Sequence, residues 1–334
     1  MVRSSTDGRR KPSTKLVGLA IFILAAILCY SAVWYYLADQ LKGRVQGLIA
    51  DLAAEEVVAS CDDLEVRGYP FRLGVFCSRV TADGAQEGSV SAASFRSAAQ
   101  IYRPGHIVSE LDGPMEVSRP DGENVTADWS SLRASTVFGT SGLQRASIEG
   151  RDVDAAINSP DIGSVGFDAS TLEMHGRANG PDLDFAIRTT GAILENPALP
   201  VDLPQLDLVG EAQITNGRDF LSGRAIEVEA LRGASGRLTN VSVVLDGGAS
   251  LRLSGPFAFT ESGLLSGEFD VAIDQLEIWT TTLSELLPGA RSMVRTAGGL
   301  MQSMGDGESL SVTLQVREGR VAFGIIPIGE IPPI

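Results

Sequence analysis

Three rhythms of hydrophobic and polar positions divide this sequence of 334 residues. The first is an apolar run, Leu16 to Leu37, that carries no charged side chain. As a helix its twenty-two residues rise about 33 Å, enough to cross a hydrocarbon core of about 30 Å, which predicts a transmembrane helix over 16–37. A second rhythm follows directly. Leu41, Val45, Leu48, Ile49 and Leu52 recur at spacings of three and four, predicting an amphipathic helix over 38–56. Its polar face lacks the Lys/Arg richness of interfacial helices, so its apolar stripe is expected to pack on the chain's own domain.

From about Val57 the period becomes two. EFDVAID puts Phe269, Val271 and Ile273 on one side of a strand, and SLSVTLQVR does the same with Leu310, Val312, Leu314 and Val316. AIEVEA (Ile226, Val228) and SLRLS (Leu251, Leu253) are shorter cases. Turn-forming breaks such as Asp246-Gly247-Gly248, Glu261-Ser262-Gly263 and Glu318-Gly319 separate such stretches. Helical patterns do not intervene between most of them. The expected fold is therefore mainly β, an antiparallel meander forming a curved sheet or a sandwich, with a few amphipathic helices.

Two segments interrupt the meander. ENPALPVDLPQ holds Pro197, Pro200 and Pro204, which exclude a central strand and suggest an extended crossover between halves 57–195 and 205–334. Residues 280–305 are helical in pattern, with a break at Pro288-Gly289. Leu283, Leu286, Leu287, Met293, Val294, Leu300, Met301 and Met304 supply their apolar surface. Core packing is the first expectation for this Met-rich face, a ligand- or lipid-facing surface the second.

Charge orients the anchor. Arg3, Arg9, Arg10, Lys11 and Lys15 stand before the apolar run against a single Asp7, whereas Asp39, Lys42, Arg44 and Asp51 behind it nearly cancel. The positive-inside rule places residues 1–15 in the cytoplasm and the bulk of the chain on the far side, with Tyr30, Trp34, Tyr35 and Tyr36 at the outer interface. A cleaved signal peptide, the alternative, has a shorter apolar region ending at a small-x-small site. Cys29 is preceded by Leu28, not by the small residue a lipobox needs.

The remaining composition narrows function mainly by exclusion. With 42 acidic against 27 basic residues, a net charge of −15, the chain is no candidate for nucleic acid or for electrostatic docking on an anionic leaflet. Its two histidines, His106 and His175, neighbour no motif, and Ser141 and Ser235 miss the nucleophile-elbow spacing. Phosphate-loop, dinucleotide, zinc-protease and EF-hand signatures are absent. No catalytic residue, metal ligand or cofactor is assigned, and the chain is read as non-enzymatic. Cys61 and Cys77 flank DDLEVRGYPFRLGVF, and a hairpin bent at Gly68-Tyr69-Pro70 would bring them face to face. A disulfide in an oxidising compartment is the economical inference, two free thiols the alternative.

The run from Cys61 through Gly68-Tyr69-Pro70-Phe71-Arg72 to Cys77, shortly behind an anchor ending in aromatics, resembles the bacterial family called domain of unknown function 2125. Its signature is a cysteine pair around a G-[FY]-P-[FY]-R turn, matched here throughout. The closing strand, Glu318-Gly319 turn, strand, Gly324-Ile325-Ile326-Pro327-Ile328 and Pro332-Pro333 add to the likeness. More distantly, the order of anchor, hairpin and meander looks like AsmA-type envelope proteins, whose curved sheets form apolar grooves. Both resemblances imply the Gram-negative inner membrane, with the β-rich region 57–334 in the periplasm. Lipid or hydrophobic-ligand binding in envelope biogenesis is the first functional expectation, along a candidate groove formed by Phe269, Val271, Ile273, Leu310, Val312, Leu314 and Val316. A scaffold for envelope proteins, with those residues in a closed core, is the second, and a hydrolase the third.

Overall fold

The computed structural model describes residues 14–54, 56–84, 86, 88–160, 163–222, 228–286, 291–302 and 309–334. It begins with α1 (Thr14–Ala54), in which the apolar run and the amphipathic stretch form one continuous helix. Trp34 and Ala38 are buried, and Leu41, Val45 and Ile49 are half-buried, a stripe at spacings of three and four. The helix packs on the first two strands, so the stripe rests on the chain's own sheet, while Leu48 and Leu52 stay exposed. The basic residues of the leader, Arg3, Arg9, Arg10 and Lys11, and Asp7 lie outside the described residues.

Glu56, at φ +65°, reverses the chain into an up-and-down antiparallel meander. Its early strands are long but broken near the middle. The first comprises β1 (Val57–Cys61) and β2 (Glu65–Arg67), the second β3 (Arg72–Cys77) and β4 (Val80–Gly84). Then come β5 (Gly88–Ala92) with β6 (Phe95–Gln100), β7 (Arg103–Leu111) with β8 (Met115–Ser118), and β9 (Asn124–Asp128) with β10 (Ser131–Gly139). Each segment of a strand pairs with one segment of the next. Backbone bonds such as Asp62 N to Arg79 O (3.0 Å) and Asp112 N to Ser94 O (2.9 Å) carry the ladder across the interruptions. All converge on β11 (Gly142–Ser159), whose first half pairs with β10 and second half with β9.

The meander continues through β12 (Gly163–Asn179), β13 (Asp182–Glu195), β14 (Leu206–Ile214), β15 (Ser235–Leu245), β16 (Ser250–Phe259), β17 (Leu265–Asp274), β18 (Ser309–Arg317), β19 (Arg320–Phe323) and β20 (Ile326–Glu330). The chain is thus mainly antiparallel β. Two 3-10 turns, Gly217–Ser222 and Val228–Leu231, lie between β14 and β15. Helices α2 (Leu276–Leu286) and α3 (Arg291–Gln302) lie between β17 and β18.

Several expectations change here. The proline-rich segment is no crossover between halves: β13 and β14 on either side of it are hydrogen-bonded neighbours, and one sheet runs through. Proline excludes a strand but is equally at home in a loop between adjacent strands. Val228, expected in a strand, lies in a 3-10 turn, and Ile226 falls outside the described residues. The helical region starts at Leu276 rather than 280. Leu287, Pro288, Gly289 and Met304, and the side chains of Met293, Leu300 and Met301, lie outside what is described.

Residues directly opposite in an antiparallel ladder share a face, so registers can be followed across the whole sheet. One row runs Val66, Val75, Ser97, Ser109, Ala134, Ile148, Met174, Ile187, Gly210, Val241, Leu253, Val271, Val312, without one charged residue. The adjacent row, on the other face, runs Glu65, Phe76, Arg96, Glu110, Arg133, Glu149, Glu173, Arg188, Val209, Ser242, Arg252, Ala272, Ser311. The sheet therefore has one apolar and one charged face along its length. Ion pairs stitch the latter, including Arg96 to Glu110 at 2.7 Å and Arg133 to Glu110 at 2.8 Å.

Candidate binding face and disulfide hairpin

The apolar face begins at the hairpin. Gly68, at φ +116°, opens the turn between β2 and β3, where an added Cβ would sit 2.8 Å from the Arg72 carbonyl oxygen. Cys61 and Cys77 are joined by a disulfide, with Cα atoms 5.1 Å apart. The register differs from the one expected, because Cys61 lies opposite Val80 and not opposite Cys77. An offset of three would put the two cysteines on opposite faces of a regular ladder. The interruptions at Asp62-Asp63 and Ser78-Arg79 reset the alternation and return both thiols to the apolar face.

Beyond these interruptions the apolar face continues as Cys61, Val80, Ala92, Met115, Ala127, Ala155, Phe167, Leu194. The disulfide ties this row to the one containing Cys77. Many members are half-buried or exposed; Ile148 is 44% exposed. Among the described residues, no α-helix packs on this face between β5 and β12, and the 3-10 turn Gly217–Ser222 reaches β11 and β12.

At the far end the face closes. Phe269, Val271 and Ile273 lie opposite Leu314, Val312 and Leu310. Val271, Ile273, Leu310 and Val312 belong to a packed cluster with Leu245, Ala249, and Leu276 and Trp279 of α2. Phe269, Leu314 and Val316 also line a cavity of about 450 Å3, walled solely by apolar side chains. All seven residues singled out in the sequence thus belong to or pack against one buried cluster, and three of them also form a cavity wall.

The cavity's walls come from β13 (Leu183, Phe185) through β19 (Val321), with Phe220 and Leu231 from the 3-10 turns. Six strand spacings of about 4.8 Å would separate β13 from β19 by about 29 Å in a flat sheet, against a cavity roughly 10 Å across. The sheet must therefore curl around it. Gly176 leaves room for the first 3-10 turn: Leu221 Cδ2 lies 2.9 Å from where its Cβ would be, so a side chain there would push Leu221 aside. No sequence-local signal marks this cavity, since each strand contributes only one to three residues.

The charged face offers less. A shallow polar hollow of about 510 Å3 is lined by Arg145, His175, Arg177, Asp184 and Glu211 among others. Its charges are partly spent on each other, with Arg177 2.6 Å from Asp184 and holding that carboxyl below its ordinary range. His175 stands 3.8 Å from Glu173, and His106 shares a 3.0 Å hydrogen bond with Ser135. Ser141 Oγ accepts from Arg218 at 3.0 Å. Among the described residues no group of His, Cys, Asp and Glu could hold a metal ion.

A family model described as "Uncharacterized protein conserved in bacteria (DUF2125)" matches residues 34–332, and the chain belongs to that family. No curated protein and no solved structure matches the chain. The AsmA-type likeness gains no support from these matches.

Proposed function

We propose that this member of an uncharacterised bacterial family is a single-pass inner-membrane protein whose β-rich part lies in the periplasm and binds hydrophobic chains, lipid acyl chains foremost. One observation carries the reading: the uncharged row that starts beside the anchor helix runs without a break to a half-open, wholly apolar cavity of about 450 Å3, which its Leu253 lines. That volume falls within the range of about 300–1,000 Å3 typical of small-molecule sites. An uncovered apolar face of this extent marks an interaction site rather than ordinary surface. The topology is supported by the basic leader and by a disulfide, which persists in oxidising compartments. The role is non-enzymatic, the protein supplying shape and dryness to a ligand and no chemistry.

Native mass spectrometry of the detergent-extracted full chain should show a bound lipid. Ala212 lines the cavity, and Ala212→Phe should abolish the lipid adduct while leaving the melting temperature nearly unchanged, because the new ring fills empty space. If no lipid is bound and Ala212→Phe costs the about 1–3 kcal/mol of an overpacked core, the scaffold reading replaces this one. A reporter fused after Ile334 should be active only in the periplasm.

A further inference from the structure

The disulfide hairpin does more than begin the sheet. Its tip lies against α1 inside the apolar run, not beyond it. The Tyr30 hydroxyl donates to the Pro70 carbonyl oxygen, the Tyr69 hydroxyl and Ser31 Oγ are 2.8 Å apart, and Trp34 Nε1 donates to the Arg72 carbonyl at 2.9 Å. Tyr69 also packs edge-on against Trp34 and stacks on Tyr35. Tyr30 and Trp34 precede Leu37, the end of the run, by seven and three residues, so at about 1.5 Å per residue the contacts lie about 5–10 Å inside it. That is the depth at which interfacial helices seat their apolar faces.

We infer that the hairpin tip, residues 68–72, is seated in the bilayer leaflet at the exit end of α1, with Tyr69 and Phe71 at the boundary between headgroups and acyl chains. This rests on the reading of α1 as a membrane anchor. Three observations agree. First, backbone polar groups in lipid must be satisfied internally. Here four of the tip's five carbonyls are met: Gly68 accepts from Arg72 N (2.9 Å), Phe71 from Ile101 N (3.1 Å), and Pro70 and Arg72 from the helix, while Pro70 has no N–H. Second, the side chains left outside are those that favour the headgroup layer: Phe71 is 67% exposed, as is Tyr102 (69%) in the neighbouring β6–β7 turn. Third, Arg72 and Arg103 flank these aromatics in a chain of net charge −15, two basic groups suited to lipid phosphates, while Arg67 nearby is paired with Glu65. The apolar face thus starts at the membrane surface, where an acyl chain could pass onto it without crossing water.

The test uses the full chain in vesicles of phosphatidylcholine and phosphatidylglycerol, with an environment-sensitive fluorophore on single thiols. Cys29, the one free cysteine among the described residues, lies one residue from Tyr30 and reports α1 itself. In a Cys29→Ser background, Phe71→Cys reports the tip, Tyr102→Cys the adjacent turn, and Val58→Cys, 69% exposed at the other end of the first strand, a matched aqueous control. Lipids spin-labelled near the headgroup should quench Phe71→Cys as strongly as Cys29 and several-fold more than Val58→Cys, with iodide doing the reverse. Should Phe71→Cys fail to form the Cys61–Cys77 bridge, Tyr102→Cys carries the measurement. Quenching of both positions at the Val58 level while Cys29 is lipid-quenched would overturn the seat and leave the anchor standing. Aqueous quenching of Cys29 as well would overturn both.

Discussion

The same row of the sheet passes through two settings. In the N-terminal region, residues 57–181, four hydrophobic residues are buried: Val75, Cys77, Ala92 and Ala169. In the C-terminal region, residues 182–334, fourteen are, among the described residues. On this row Ile148 is 44% exposed, and Val271 and Val312 are 7% exposed. The ladder register carries one uncharged row through both places, so the difference is not in strand pairing. It lies in cover: α2 and the 3-10 turns lie over the C-terminal strands, the first turn reaching back to β11 and β12, and the sheet curls upon itself, whereas among the described residues no helix packs on the face from β5 to β10. Each apolar side chain fully removed from water contributes about 1.5–3 kcal/mol, so folding stability concentrates at the C-terminal end. The N-terminal end holds its shape by other means, a disulfide, a charged face and continuous backbone pairing.

The largest effect should come from one substitution made at two places in this row. Val271→Asp buries an unpaired charge, which costs several kcal/mol against a total of about 5–15. It should abolish cooperative unfolding in thermal melts. Ile148→Asp, with water beside it, should cost under about 1 kcal/mol and instead weaken lipid retention. Equal loss of folding in both variants would show that the N-terminal face is covered, and would break the comparison.

Next in size are changes to the hairpin. Removing the disulfide with Cys61→Ser should lower stability by about 2–5 kcal/mol, with protease cuts appearing in 57–100 before the C-terminal region. Uniform loss of protection would mean that the two ends unfold as one. Gly68→Val forces a β-branched residue to positive φ against the Arg72 carbonyl, at a cost of about 1–3 kcal/mol. An unchanged melting temperature would show that the turn relaxes freely.

The sequence makes the C-terminal strands legible because their inward residues are large: Phe269, Val271 and Ile273 alternate with polar neighbours, and so do Leu310 to Val316. In 57–195 the inward positions are often Ala, Ser, Thr or Gly, as with Ser97, Ser109 and Ala134, and carry little hydrophobic contrast. The mid-strand interruptions also reset the alternation, so a period-two pattern rarely persists across a whole strand. The cysteine pair and its turn were readable, but their register was not, since symmetry of spacing cannot reveal an interruption at Asp62-Asp63. The cavity was invisible for another reason. Its wall runs from Leu183 to Val321, and only the curl of the sheet brings these residues together.

The smallest effect concerns the charged face, where the N-terminal region depends on pairing. Hydrogen bonds from Arg96 hold Glu110 below the ordinary carboxylate range, and bonds from Ser94 and then Arg96 do the same for Asp112. Their support is complete above the unfolded carboxylate pKa of about 4 and is lost as pH falls through the folded values; these groups are partly exposed, so it amounts to about 1 kcal/mol or less. Asp168 has the opposite sign. Desolvation first, then Asp154 directly opposite it in the ladder, raise its pKa, so the folded state favours its protonated form. Its cost is present at neutral pH and is relieved as pH falls through the raised folded value. Asp168→Asn should therefore stabilise the chain at pH 7 by a few tenths of a kcal/mol, the scale on which like charges directly opposite destabilise a ladder. The gain should shrink below the raised folded value and vanish only below the unfolded value of about 4, near pH 3, where the wild-type carboxyl is protonated in both states. Melting curves of the two proteins between about pH 7 and pH 3 would show this convergence. A constant difference across that window would mean that the substitution acts through packing, and that the charged face contributes less to the N-terminal region than the comparison requires.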